Sequence, residues 1–159
     1  MDKRILVADG HALLRLLDNT EAAPRGAMWV NNPDARRWEL WTLPAKGIDP
    51  IEFDDLVTDA LMDHPDHFIE MHRAVTPMIV WTITDDHLVV PVLNELYRLE
   101  GLGEHVIGTR RLGPWFVEDA ILLRWATEEA RSEAAFELNR GHAPRRRDVA
   151  LERTGRALL

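Results

Sequence analysis

Between Gly26 and Pro44 the chain reads GAMWVNNPDARRWELWTLP, two aromatic-rich, β-prone runs on either side of Asn32-Pro33-Asp34. Proline fixes its own backbone angle, and Asn and Asp side chains bond to the backbone just beyond them, so this trio turns the chain back on itself. The segment is predicted to be a β-hairpin, and helices elsewhere in the chain must pack against the sheet it starts. Alternation sends Trp38 and Trp41 to opposite faces. At least one of their rings must then meet a terminal helix, a ligand or another chain. Packing under a flanking helix is the first use expected of Trp29, Trp38 and Trp41, and contact with another chain is the second.

A helix start follows at Asp49-Pro50-Ile51-Glu52. Asp49 can cap the free amides, Pro50 suits the first turn, and Glu52 can bond back to the cap. Phe53, Leu56, Val57, Ala60 and Leu61 then repeat at helical spacing. Residues 3–18 carry Ile5, Leu6, Asp9, Leu13, Leu16 and Leu17 mostly on one helical face, which predicts a helix there. PMIVWTIT, Pro77 to Thr84, reads as a buried strand. Asp85 and Asp86 open a helix bearing Val89, Val92, Leu93, Leu96 and Leu99, and Gly101 closes it. VIGTR and WFVEDAILLRW read as two strands joined across Arg111-Leu112-Gly113-Pro114, and a C-terminal helix is expected from Thr127 to about Arg140.

This order predicts an α+β fold with a single mixed five-stranded sheet, made of two hairpins and a central strand. Two right-handed crossover helices would make the strands near 40, 80 and 108 mutually parallel, and N- and C-terminal helices would pack on the sheet. At 159 residues the chain fits one domain, taken as residues 1–140, followed by a basic arm at 141–159 that is expected to be helical.

The opening words ILVADGHALLRLL resemble the start of a response-regulator receiver domain, over about fifteen residues. A receiver then needs an apolar strand ending on its phosphoacceptor aspartate and a late lysine. This chain has IDPIEFDDLVTDAL in the first place, and its only lysines are Lys3 and Lys46, so the receiver reading is rejected. The run PMIVWTITDD, a helix, and GPWFVEDAILLRW is similar to small uncharacterised bacterial proteins that share this element order. That resemblance covers about residues 27–125, supports the fold and implies no activity.

Cysteine is absent, which excludes disulfides, thiolate nucleophiles and Cys-zinc sites. No apolar run approaches the ~20 residues of a membrane span, and a cytoplasmic location is the expectation. The net charge of −8 disfavours general binding to nucleic acid. From Arg140 onward six arginines face only Asp148 and Glu152, so residues 140–159 carry +4 and the rest of the chain −12. Arg145, Arg146 and Arg147 are candidate interface residues for self-association, an acidic partner or a polyanion.

Two stretches invite a chemical reading. DHPDHFIEMH would align Asp63, His67 and Glu70 for a divalent metal on an unbroken helix. Pro65 disfavours that helix at His64, so the stretch reads as a helix end and loop, with His64 covering the edge of the core. In open α/β sheets ligands sit beyond the carboxyl ends of parallel strands. Those ends would gather Lys46, Thr84-Asp85-Asp86-His87 and Arg110-Arg111. Asp85 or Asp86 could then act as a base or cation ligand, and Arg110 or Arg111 as an anion grip. Glu118 and Asp119 fall inside the last strand, where an inward carboxylate needs Arg110, Arg124 or Trp81 as a partner. Glu39-Leu40-Trp41 lacks the lysine a restriction-type nuclease would place there, and no GxSxG, phosphate loop or GxGxxG occurs. No cofactor is expected. The sequence therefore favours a small non-catalytic interaction protein that binds another protein or itself, as a homo-oligomer. The alternative is a small-ligand or metal-dependent enzyme using the strand-end rim.

Overall fold

The computed structural model describes residues 2–69 and 79–127. Helix α1 (Lys3–Asp18) starts where the Asp2 carboxylate accepts the Arg4 amide, and it buries Leu6, Val7, Leu13, Leu14 and Leu17. Strands β1 (Gly26–Asn32) and β2 (Arg37–Leu43) form the expected hairpin, pairing from Gly26–Leu43 to Asn32–Arg37. The Asn32 side chain accepts the Ala35 amide across the turn, and Arg36 takes a positive φ of 53°. Helix α2 (Pro50–Asp63) is capped by Asp49, whose side chain accepts the Ile51 amide, and it buries Phe53, Val57, Ala60 and Leu61. A short 3-10 turn (Pro65–His67) follows.

The remaining elements are β3 (Val80–Thr82), α3 (Val89–Leu96), β4 (His105–Val106), β5 (Arg110–Leu112), β6 (Trp115–Val117) and β7 (Ala120–Trp125). The fold is α+β, with a mixed five-stranded sheet in the order β3-β2-β1-β7-β4 and a separate ribbon of β5 and β6. Among the described residues no helix is long and apolar enough to cross a membrane.

Several expectations need correction. The strand near 80 is not central but a three-residue edge strand, parallel to β2. A continuous apolar run does not by itself tell an edge strand from a buried one. The strand near 108 is absent as such: β4 ends at Val106, runs antiparallel to β7, and lies at the opposite edge from β3. Helix α3 thus carries the chain from one edge of the sheet to the other rather than between parallel neighbours. It begins at Val89, not at the aspartates, and ends at Leu96. Leu99 forms a β-bridge with Trp125 instead. The expected last hairpin is split in two, because the chain bends again at Glu118 and Asp119. The C-terminal helix and the arm lie outside the described residues.

Alternation along the strands builds two cores, one on each side of the sheet. Ala27, Trp29, Leu40, Ile121 and Leu123 face α1 and α2. Met28, Val30, Trp41, Leu43, Ala120, Leu122 and Trp125 face α3 and the β5–β6 ribbon. Each large aliphatic side chain so buried contributes about 1.5–3 kcal/mol. The alternation is broken once. Ala27 pairs with Arg124 and Met28 with Leu122, so Leu123 is a bulge that re-phases β7. Arg124 is thereby turned toward the end of α1, and Trp125 toward the other core. There its ring lies over Gly26, where an added Cβ would come within 2.5 Å.

Candidate interaction surface

The free side of β3 stands out first. Leu40 donates its amide to Ile79 O at 2.9 Å, and Ile83 donates to Thr42 O at 2.8 Å. In a parallel ladder this pattern turns the N–H and C=O groups of Ile79, Trp81 and Ile83 toward β2, and those of Val80 and Thr82 outward. Among the described residues nothing pairs with that outer side. An unpaired row of backbone donors and acceptors is a template for another strand.

The side chains flanking this edge differ by face. Trp81 lies in register with Trp41, on the face away from α2, and remains 49% exposed. Behind it Trp41, His87 and Trp115 form a closed triangle of rings, with centroids 5.2–5.4 Å apart. On the other face Thr82 donates its hydroxyl to Asp54 of α2. That bond fixes how α2 is rotated. Helical spacing then places Ile51, Asp54, Thr58 and Met62 on the flank toward β3, with Asp55 on its solvent-facing rim, and Ile51 and Met62 are 73% and 69% exposed.

His87 has a defined tautomer. The Val89 amide donates to its Nδ1 at 3.1 Å, so the ring proton sits on Nε2. Burial holds the imidazole below its ordinary pKa of 6.5, against a weaker opposing pull from Asp86. A neutral ring protonated on Nε2 keeps one N–H that can donate a hydrogen bond.

The residues expected at the strand-end rim are only partly together. Asp85 is held by Arg25 through paired contacts of 3.1 and 3.0 Å, which neutralises it, and it does not cap α3, whose N-cap residue is Leu88. Asp86 accepts the Thr84 hydroxyl. Arg110 and Arg111 belong to the β5–β6 ribbon, where Arg110 donates to the Tyr97 hydroxyl at 2.9 Å; no contact joins them to the aspartates among the described residues. Lys46 is exposed. The inward carboxylate of Asp119 pairs with Lys3 at 2.7 Å, not with Arg110, Arg124 or Trp81.

Asp63 and His67 do not share a helix, because α2 ends at Asp63 and His67 closes the 3-10 turn; Glu70 lies outside the described residues. His64 is exposed rather than covering the core, with its ring 5.0 Å from that of His67. No group of three potential metal ligands occurs among the described residues. Trp29 and Trp41 are buried and Trp38 is half-buried, so these rings are used inside the chain; Trp29 donates its indole N–H to Leu6 O at 2.7 Å. Glu39 is buried beside Trp41, accepting from Asn32 and Arg37 at 3.1 Å. Arg145, Arg146 and Arg147 lie outside the described residues.

Sequence reasoning missed Trp81, because PMIVWTIT looks uniformly buried. No local signal could have found it, because its exposure follows from strand order. A second concavity of about 430 Å³ runs beside α1, lined by Arg4, Val7, His11, Arg15 and Glu104. Arg4 is tied to Asp2 there, and His11 donates to Gly103 O. Comparison of the chain with family models, with curated proteins and with solved structures finds no match.

Proposed function

We propose that this chain is a non-catalytic protein-interaction domain that takes up an extended segment of a partner as an additional strand along β3. The observation that carries the reading is the outer side of Val80 and Thr82, unpaired among the described residues, next to a half-exposed Trp81. Strand addition derives affinity from main-chain hydrogen bonds and specificity from pockets for alternate side chains. Here Trp81 and the rings behind it offer one such pocket, and the flank of α2 offers the other. Exposed tryptophan is enriched where proteins meet.

The test is a peptide array probed with the full chain. The Val80 N–H points outward, so Val80→Pro removes an edge donor and leaves the ladder to β2 in place. The expected result is that bound peptides are lost with Val80→Pro and with Trp81→Ala while circular dichroism is unchanged. Peptides that bind both variants as well as the parent chain would sink the reading.

A further inference from the structure

We infer that the segment taken up by β3 is basic: an extended stretch in which Lys or Arg alternates with apolar residues. This rests on the strand-addition reading above and adds the chemistry of the partner. Helix α2 carries Glu52, Asp54, Asp55, Asp59 and Asp63 and no Lys or Arg. Beyond the end of β3, Asp85 is neutralised by Arg25, whereas Asp86 is exposed and, among the described residues, accepts the hydroxyl of Thr84 and forms no ion pair with Lys or Arg.

An added strand would send alternate side chains to the two faces. Those on the α2 side come to Asp54 and Asp55, bordered by the exposed Ile51 and Met62. Lys and Arg fit that composition, since their aliphatic stems cover apolar surface while the charged head reaches a carboxylate. Side chains on the other face meet Trp81, which favours apolar or aromatic groups. A glutamate-rich strand would be repelled on the α2 side. So would the β3 edge of a second copy, which brings its own acidic α2. The charge pattern selects a basic partner over self-pairing at this edge.

The probes are peptides of about seven residues, enough to span an edge strand, that alternate valine with lysine, glutamine or glutamate and carry terminal prolines to prevent self-pairing. Fluorescence anisotropy with the full chain is expected to show the lysine peptide binding about tenfold tighter than the glutamine peptide at low salt, a gap that narrows as salt screens the carboxylates. Asp55→Asn should reduce the lysine preference several-fold, as expected for the loss of one surface charge.

Equal binding of the lysine and glutamine peptides overturns the basic partner and leaves strand addition standing. Lysine-peptide binding that survives both Val80→Pro and Trp81→Ala overturns strand addition as well, because attraction to an acidic surface then suffices. If the lysine peptide binds only once Arg145, Arg146 and Arg147 are changed to glutamate in the full chain, the occupant is the chain's own arm, and the separate partner is overturned.

Discussion

Arg124 grips Asp18 with both terminal nitrogens at 2.8 Å, across 106 residues of sequence. Its Nε donates to Gly101 O at 2.8 Å, and one terminal nitrogen also reaches Pro24 O at 3.0 Å. Only 7% of the arginine side chain is exposed, against 36% for the aspartate. One guanidinium thus ties the end of α1, the segment before β1 and the loop after α3 to the centre of the sheet. Arg124→Met strands two carbonyls and a carboxylate, and should cost about 2–4 kcal/mol in urea denaturation. Arg124→Lys should recover little of it, because an ammonium cannot reproduce the planar fork.

Gly10 sits inside α1, where alanine is ordinarily better by about 1 kcal/mol. Here an added Cβ would lie 2.3 Å from Leu123 Cδ1 and 3.0 Å from Trp29 Nε1. Gly10→Ala should therefore destabilise by about 1–3 kcal/mol despite its helix propensity. Leu123→Val should rescue part of that loss in a double-mutant cycle. Full additivity of the two substitutions would show that the close approach is not the cause.

Trp41 and Trp81 are register neighbours with opposite duties. Trp41→Ala, at a buried position under His87 and Trp115, should cost about 3–5 kcal/mol. Trp81→Ala, at a half-exposed one, should cost about 1–2 kcal/mol. Thermal melts of the two variants separate the buried ring from the half-exposed one.

His87 makes stability depend on pH. Its folded pKa lies below 6.5, so the unfolded chain binds the proton first as pH falls. The contribution is complete above the unfolded value and is lost as pH drops through the folded one. Protonation would also remove the acceptor for the Val89 amide and place a positive charge at the start of α3. Melting temperature should fall between neutral pH and mild acid, and His87→Gln should flatten that part of the curve. An unchanged slope in the variant would assign the acid sensitivity to another group.

Much of the architecture was legible where local chemistry decides it. The Asn-Pro-Asp turn, the Asp49 cap and the period of α1 each fix an element without tertiary help. Alternation also separated Trp38 from Trp41 correctly, and they lie in different cores. What was not legible depends on neighbours. Glu118-Asp119 bends the chain with neither glycine nor proline, so WFVEDAILLRW looked continuous. The bulge at Leu123 has no residue signature and is set by the fit of Arg124 to Asp18 and of Trp125 over Gly26. The start of α3 was misplaced because its first free amide is taken by an imidazole two residues earlier rather than by an aspartate. The candidate surface suffered likewise: Thr84–His87 reads as the start of a helix where the chain makes a turn, and whether β3 is an edge strand depends on strand order, which no local pattern encodes.

A sheet covered on both sides is also a partition. Leu13 belongs to one core and Leu93 to the other, and each is fully buried. Damage on one side should therefore be blind to damage on the other: Leu13→Ala and Leu93→Ala ought to sum within about 0.3–0.5 kcal/mol, as substitutions without shared partners do. Leu13 and Phe53, on the same side, share a core and should not. Sequence drift, or deliberate redesign, can then proceed on one side of the sheet without calling for compensation on the other.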